Sequence, residues 1–134
     1  MALGATVIGT RKGPRVVQYW CGATHLTASA RHGDNGSTNL CTAHGEPRLS
    51  IQRSDNEPKA EPRLHLNLYA RDRDAQAREV ERLISLGATR ARWWYPENVD
   101  FIVLLDTEGN ASCVVDDSHA PPQFQLSFQD PDPS

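Results

Sequence analysis

One segment of the chain repeats its apolar residues at helical spacing, while most of the others alternate apolar and polar residues. In the helical segment, about Arg73 to Leu86, Val80 and Leu83 share one face and charged residues fill the other. Asp72 is the predicted N-cap, and Gly87 is the predicted C′ residue that ends the helix. The pattern therefore predicts an amphipathic helix that packs on one side only.

Strands are predicted on both sides of this helix, at 64–70 before it and at 89–95, 101–105 and 112–116 after it. The first half of the chain shows the same order less sharply, with a strand at 5–10, a helix at 15–23, and strands near 27–31, 38–43 and 48–53. A charged, proline-containing stretch at 54–62 separates the halves. The repeated order predicts an α+β fold of two βαβββ modules, about 4–53 and 63–116, in a single domain spanning 1–116.

The pattern fails after Asp116, and the proline-rich segment 117–134 is predicted to be a C-terminal tail. Within it, Phe124, Leu126 and Phe128 alternate with polar residues. This alternation predicts either an added edge strand or a segment that covers a partner subunit.

Composition narrows the classes of partner and compartment. A chain of 134 residues suits one domain, and a net charge of -3 with a pI near 5.9 argues against a nucleic-acid partner. No run approaches the roughly 20 apolar residues of a membrane span, and the start has no secretory pattern. The three cysteines form no CxxC pair. We therefore expect a soluble cytoplasmic protein that binds neither membrane nor nucleic acid.

One histidine interrupts the strand before the predicted helix. Leucines at 64, 66 and 68 alternate there with His65, Asn67 and Tyr69, so the two sets face opposite sides of a sheet. Burying an imidazole costs free energy unless its nitrogens find partners. The strand therefore predicts either a hydrogen-bonded structural histidine or a ligand-contacting His65.

Five segments in order resemble a known family: 63–69, the helix end at 86–88, the aromatic turn at 93–97, the strand and turn at 101–110, and the strand at 113–116. Together they are similar to a glyoxalase-like domain of the vicinal oxygen chelate superfamily. That superfamily also contains glyoxalase I, the fosfomycin and bleomycin resistance proteins, and extradiol dioxygenases. The resemblance implies two modules whose curved sheets form a cup, and it implies a homodimer.

The resemblance also implies where a divalent ion would bind, on the first and last strand of each module. In this sequence those positions fall on His65, on Ala5 or Thr6, on Cys113, and on Gln52 or Ser50. Hard divalent ions prefer carboxylate and other oxygen ligands, and both expected carboxylates are missing. We therefore expect no catalytic metal and no other cofactor. If a metal is bound, His65 would hold it with Cys113 and Gln52.

Trp93 and Trp94 end a predicted strand, and neighbouring strand residues face opposite ways. Only one of them can therefore enter the cup, where an aromatic wall suits planar or apolar ligands. Trp20 is expected in the core, and Cys113 is expected to act as a small buried apolar side chain.

Two functions compete for this sequence. The first is a small-molecule binding protein of sequestration or antibiotic-resistance type. Its predicted ligand-binding residues are His65, Asn67, Tyr69, Gln52, Trp93, Trp94 and Cys113. The second is an enzyme of lyase, isomerase or hydrolase type, with His65 as acid/base or metal ligand and acting on a small metabolite. The sequence leaves open whether the protein is an enzyme.

Overall fold

Two βαβββ modules follow each other along the chain, which confirms the predicted α+β fold. The computed structural model describes residues 1–32, 37–59, 62–126 and 128; residues 60–61 of the predicted linker and 127 and 129–134 of the predicted tail lie outside them. Module one contains β1 (Thr6–Thr10), α1 (Gly13–Thr24), β2 (Thr27–His32), β3 (Thr38–Cys41) and β4 (Pro47–Arg53). Module two contains β5 (Leu66–Ala70), α2 (Arg73–Ser85), β6 (Thr89–Arg90), β7 (Phe101–Leu105) and β8 (Ala111–Asp116).

The sheets of the two modules have the same topology. Their strand orders are β1-β4-β3-β2 and β5-β8-β7-β6, and the first and last strand of each module run parallel. The register matches too, since Val7 pairs with Ser50 and Asn67 pairs with Cys113. His65, two residues before Asn67, therefore corresponds to Ala5, two residues before Val7.

The last turn of each module repeats this correspondence in its hydrogen bonds. The first backbone N–H of the turn donates to the last carbonyl, from Thr42 to Glu46 in module one and from Asp106 to Asn110 in module two, at 2.9 Å in both. The fourth residue of each turn is a glycine with φ of 83° and 90° respectively, a backbone region that side chains disfavour. The repeated elements and turns indicate an internal duplication.

Helix α2 begins and ends as its sequence predicts. The Asp72 side chain accepts a hydrogen bond from the Ala75 N–H at 2.8 Å, and Gly87 follows the helix with φ of 118°. The Ala88 N–H donates to the Leu83 carbonyl at 3.0 Å, which closes a Schellman motif. Among the described residues, no helix is long and apolar enough to cross a membrane.

A shared apolar core lies between the helices and the sheets of both modules. Trp20 is 1% exposed and belongs to it, as expected from the sequence. Its most deeply buried apolar members also include Val16, Tyr19, Leu40, Val80, Leu83, Leu104 and Val114. The two modules therefore bury one cluster together.

The N-terminus of α1 is capped by module two. Lys12, the N-cap residue, supplies no side-chain hydrogen bond. Instead, the Glu108 carboxylate in the β7–β8 turn accepts hydrogen bonds from the backbone N–H groups of Arg11 and Lys12 at 2.8 and 2.6 Å. It also accepts one from the Thr10 hydroxyl at 2.8 Å. The Lys12 N–H also donates to the Thr10 hydroxyl at 3.0 Å, so this carboxylate of the second module adds a negative charge and a further acceptor at the start of the helix.

The C-terminus of α1 is held by module two as well. Helix α1 has no basic residue in its last turn. The Arg82 guanidinium of α2 donates to the Gly22 and Ala23 carbonyls at 2.6 and 2.9 Å. Arg82 is itself oriented by Glu79 at 2.7 Å. A cation from the second module thus meets the negative end of the helix dipole.

Asp106 joins the middle of α1 to the β7–β8 turn. Its buried carboxylate accepts a hydrogen bond from the Trp20 indole at 3.0 Å and another from the Asn110 amide at 3.0 Å. The same amide donates to the Gly9 carbonyl of β1 at 3.2 Å. Asp106 and Asn110 were expected only as part of the strand and turn at 101–110, but they dock one module on the other.

The predicted strand at 89–95 is wrong beyond its second residue. After β6, the Ala91 N–H still donates to the Val103 carbonyl at 3.1 Å, but the chain then leaves the edge of the sheet. The Tyr95 hydroxyl accepts the Val103 N–H at 2.8 Å. A side chain therefore takes the hydrogen bond that a longer β6 would have made.

Two further expectations need correction. The strand predicted at 64–70 begins at Leu66, so His65 precedes the strand and is exposed rather than buried in it. Its imidazole therefore pays no burial cost. The described part of the tail forms two 3-10 helices, Asp117–His119 and Pro122–Phe124, in place of an edge strand.

We predict that Glu108→Ala lowers the free energy of unfolding by about 1–2 kcal/mol, because it removes the cap of α1. Urea unfolding followed by circular dichroism measures the change. Glu97→Ala, at an exposed carboxylate of the β6–β7 loop, is the control and should change stability by less than ~0.5 kcal/mol. Equal effects of the two variants would contradict the capping role.

The same interaction predicts a pH dependence. The hydrogen bond from the Thr10 hydroxyl, then that from the Lys12 N–H, lowers the pKa of Glu108 below its ordinary value of 4.5. A lowered folded-state pKa adds stability that is present above the unfolded pKa and is lost as pH falls through the folded pKa. The stability difference between wild type and Glu108→Ala should therefore shrink as the pH falls below about 4.5.

Candidate ligand-binding site

A cavity of about 420 Å³ lies on the face of the module-two sheet opposite α2. We call it the cup. It is lined by His65, Asn67, Tyr69, Trp93, Asp100, Phe101, Cys113, Val115, Asp116, Asp117 and Ala120. All of these residues belong to module two or to the segment directly after it.

Strand alternation brings the cup residues together. Along β5, Leu66 and Leu68 pack toward the core, while Asn67 and Tyr69 line the cup with His65. The neighbouring strands contribute in register, because Tyr69 pairs with Val115 and Val115 pairs with Phe101. Side chains on paired residues share a face of the sheet. The register thus identifies Phe101 and Val115 as cup residues, which alternation within a single strand does not indicate.

Trp93 lines the cup, whereas Trp94 is 82% exposed and lies outside it. Neither residue lies in a strand, so the alternation from which a single entering tryptophan was expected does not apply here. The loop that carries them is fixed by Tyr95, whose ring packs against Phe101 with centroids 5.7 Å apart and whose hydroxyl holds the Val103 N–H. Trp93 is therefore the tryptophan available to a ligand in the cup.

The polar side chains of β5 are accessible in the cup, whereas the thiol of β8 is buried and protonated. The Asn67 amide donates to the Tyr69 hydroxyl at 3.4 Å, and both side chains remain accessible. Cys113 is 6% exposed, and burial raises the pKa of its thiol. At neutral pH Cys113 is therefore a protonated, weakly nucleophilic part of the cup floor.

Gln52 is separated from the other predicted ligand-binding residues. It lies near the end of β4, in a depression of about 390 Å³ that Thr10, Lys12 and Thr38 also line. The register makes Ser50, not Gln52, the counterpart of Cys113. Gln52 instead occupies the position in module one that Val115 occupies in module two, and it does not line the cup of this chain.

Three aspartates line the cup at the end where β5 and β8 finish, and none was predicted as a site residue. Asp100 precedes β7, Asp116 ends β8, and Asp117 follows it. The backbone N–H of Asp116 donates to the backbone carbonyl of Asp100 at 2.7 Å, so the two residues are neighbours across β7 and β8. Asp100 is far from Asp116 and Asp117 in the sequence. Only the antiparallel pairing of β7 with β8 brings them together.

Asp116 is held in its charged form. Burial alone would raise the pKa of its carboxyl, but hydrogen bonds from Ser118 and the charges of His119 and Arg73 outweigh burial and lower the pKa. Ser118 donates through its N–H at 3.0 Å and its hydroxyl at 2.6 Å, both to Oδ1. Oδ2 lies 3.2 Å from His119 Nε2 and receives no hydrogen bond among the described residues.

The residues at the positions implied for a metal do not fit a divalent ion. Their types are imidazole at His65, a protonated thiol at Cys113, a hydroxyl at Ser50 and a methyl group at Ala5. In the described part of the chain, no three His, Cys, Asp or Glu side chains group closely enough to bind a metal ion. A stable site normally needs at least three protein ligands. The donor set therefore supports binding by contact with side chains rather than through an ion.

Comparison with known proteins extends the resemblance found in the sequence. A family model described as a glyoxalase-like domain matches residues 5–115. The search of curated proteins gave no match.

Three solved structures share the fold at identities too low to indicate a shared activity. A glyoxalase/bleomycin resistance protein/dioxygenase family enzyme from Burkholderia phytofirmans PsJN has a TM-score of 0.65 at 18% identity, over 85% of this chain and 97% of that chain. A mutant fosfomycin resistance protein from Listeria monocytogenes, complexed with Mn(II) and 1S,2S-dihydroxypropylphosphonic acid, has a TM-score of 0.68 at 12% identity, over 94% and 98%. A possible glyoxalase from Bacillus cereus has a TM-score of 0.61 at 12% identity, over 85% and 99%.

We predict that Tyr95→Phe destabilises the protein by about 1 kcal/mol, because it removes the hydroxyl that accepts the Val103 N–H. Hydrogen exchange of the Val103 amide should become faster in this variant. Tyr69→Phe removes a comparable hydroxyl from an exposed position and is the matched control. Unchanged exchange at Val103 in Tyr95→Phe would show that the hydroxyl does not fix the loop.

Proposed function

This chain belongs to the glyoxalase-like domain family, and we propose that it is a metal-free small-molecule binding protein whose cup takes an apolar or aromatic ligand. The observation that carries the proposal is the chemistry of the cup wall. Trp93, Phe101 and Tyr69 offer aromatic surface around a cavity of about 420 Å³. Cavities of several hundred cubic ångströms with apolar walls and few polar groups are typical of small-molecule sites.

The polar groups in the cup would orient such a ligand. His65 and Asn67 carry accessible donors and acceptors beside the aromatic wall. Stacking and apolar contact would supply affinity, while these hydrogen bonds would select among ligands of similar shape. This division of roles supports sequestration, which needs affinity but no catalytic group. We also propose a role in antibiotic resistance as one form of sequestration, since fold relatives from Listeria monocytogenes and Mesorhizobium loti are fosfomycin resistance proteins.

An enzyme is the second candidate, and the placement of His65 favours it. The imidazole is accessible at the cup, and Asn67 and Tyr69 follow it on the same face. An imidazole can donate or accept a proton near neutral pH, while an amide and a phenol hold the substrate. In this hypothesis His65 is the acid/base of a lyase, isomerase or hydrolase reaction on a small metabolite.

We also propose a homodimer that works in the cytoplasm. The cup is lined by module two and the residues directly after it. The side of the cup that faces away from the module-two sheet is therefore available to a second chain. Exposed Val7 on the corresponding face of module one is apolar, as a subunit contact requires. All three cysteines are free, which agrees with a reducing compartment. Analytical ultracentrifugation tests the dimer.

We predict that Trp93→Ala weakens binding of an aromatic ligand about tenfold or more, because it removes the wall of the cup. Trp94→Ala is the matched control and should bind as wild type does, since Trp94 points to solvent. A screen of aromatic compounds by ligand-detected NMR would supply the probe, and calorimetry would give the dissociation constants. Equal losses in the two variants would place the ligand outside the cup.

His65→Ala separates the binding protein from the enzyme. For a binding protein, we expect the variant to lose affinity modestly and the ligand to be recovered unaltered after incubation with wild type. For an enzyme, wild type should convert the compound, and the variant should lose turnover while retaining most of its binding. Mass spectrometry of the recovered compound decides between these outcomes.

A further inference from the structure

In the described part of the chain, the first strand of module two has one unpaired edge. β5 is the terminal strand of its sheet, and β8 is its neighbour on the other side. The register with β8 is regular over the whole strand, and the segment Leu66–Ala70 contains no proline, lysine or bulge. Such features commonly protect an edge strand from pairing. β5 therefore presents backbone N–H and carbonyl groups of alternate residues away from β8.

The equivalent edge of module one is partly covered. β1 is also the terminal strand of its sheet, and the Thr10 carbonyl accepts the Ser54 N–H on the side of β4. The carbonyl of the preceding Gly9 therefore points away from β4, where it accepts the Asn110 amide at 3.2 Å. Tyr69 holds the position of Gly9 in module two. Among the described residues, nothing outside the β5–β8 ladder forms a hydrogen bond with the Tyr69 backbone.

An open groove follows the free edge of β5 on the side of α2. A cavity of about 610 Å³ contacts the four consecutive residues Asn67–Ala70. Neighbouring strand residues point to opposite faces of a sheet, so a cavity that contacts four in a row lies along the edge of the strand. Across the groove, α2 supplies Ala75, Arg78, Arg82 and Leu83 at helical spacing. A groove between an open strand edge and a helix can accept an extended peptide as an added strand.

The charged side chains around this groove leave positive charge unmatched. Three arginines and two carboxylates line it. Glu79 binds Arg82, and Asp72 accepts a backbone N–H in the first turn of α2. The exposed Arg78 guanidinium forms no hydrogen bond or ion pair among the described residues, and Arg71 adds a second cation at the end of β5. A carboxylate on a bound peptide would therefore be attracted to the Arg78 side of the groove.

From these features we propose that the groove between β5 and α2 binds an extended acidic peptide of another protein, which adds a strand to the edge of β5. The unpaired backbone groups select an extended backbone, and the unmatched arginine selects Asp or Glu on the face toward α2. Trp93 and Phe101 do not line this groove. The interaction is therefore separate from the binding of a small molecule in the cup.

A blocked heptapeptide, Thr-Val-Thr-Glu-Thr-Val-Thr, is the probe, because an extended chain places its valines and glutamate on one face. The same peptide with glutamine in place of glutamate is the neutral control. In NMR titrations of the full chain, we expect the acidic peptide to shift the backbone amides of Leu66–Ala70 and to slow their hydrogen exchange. The Trp93 indole signal should not change.

Two N-methylated versions of the acidic peptide test strand addition directly. One carries N-methyl groups on the valines and the glutamate, and the other carries them on the threonines between. In an extended peptide these two sets of N–H groups point to opposite sides, and only one side can pair with β5. We expect one version to bind about tenfold more weakly than the parent peptide or worse, and the other to bind as the parent does.

Arg78→Gln tests the preference for acidic peptides at an exposed helix position, where the two residue types have similar helix propensity. We expect it to weaken binding of the acidic peptide about threefold to tenfold and to leave binding of the glutamine peptide unchanged. Arg15→Gln, at an exposed position of α1 outside the groove, is the matched control and should leave both dissociation constants unchanged.

Each contrary result overturns a stated part of the proposal. Equal binding of the two N-methylated peptides would show that no strand is added to β5. Equal affinity for the glutamate and glutamine peptides, or equal effects of the two arginine variants, would remove the acidic preference. The proposal as a whole is contradicted if no peptide shifts the β5 amides at millimolar concentration. It is also contradicted if these amides are already protected in a dimer seen by sedimentation velocity, because a second copy would then hold the edge.

Discussion

Two charged side chains of module two stabilise the two ends of helix α1 in module one. The arrangement of the two modules depends on these contacts. Glu108 accepts N–H groups at its start, and Arg82 donates to carbonyls at its end. The signs suit the helix dipole, negative at the N-terminus and positive at the C-terminus. Because buried Asp106 also binds the Trp20 indole, the helix is fixed at three points by module two. The modules are therefore joined by side-chain contacts and a shared apolar core, and not by the linker alone.

This docking also connects stability to the cup. The β7–β8 turn that carries Asp106 and Glu108 joins the two strands that supply Phe101, Cys113 and Val115 to the cup. A shift of that turn would change the register in which these side chains share a face. The aromatic loop adds a second support, since Tyr95 fixes the approach of Trp93 through Val103. The cup is thus supported through the turn that follows β7 and through Val103 in the middle of the strand.

Local chemistry was predictable from the sequence, and long-range chemistry was not. Asp72 and Gly87 act within four residues of the groups that they cap, so the ends of α2 followed from the pattern. Glu108 caps a helix 96 residues away, and nothing near it in sequence indicates this partner. The face shared by His65, Asn67 and Tyr69 followed from alternation, whereas the proximity of Asp100 to Asp116 required the pairing of β7 with β8.

The two modules have kept one backbone but have diverged in the side chains on the face that forms the cup. Positions occupied in module two by His65, Asn67 and Tyr69 are occupied in module one by Ala5, Val7 and Gly9. Side chains that are small or apolar there can neither coordinate an ion nor orient a polar group, so at these first-strand positions only module two carries polar side chains. The aromatic and polar side chains that line the cup come from module two and the residues directly after it, so the two modules contribute unequally to this cavity.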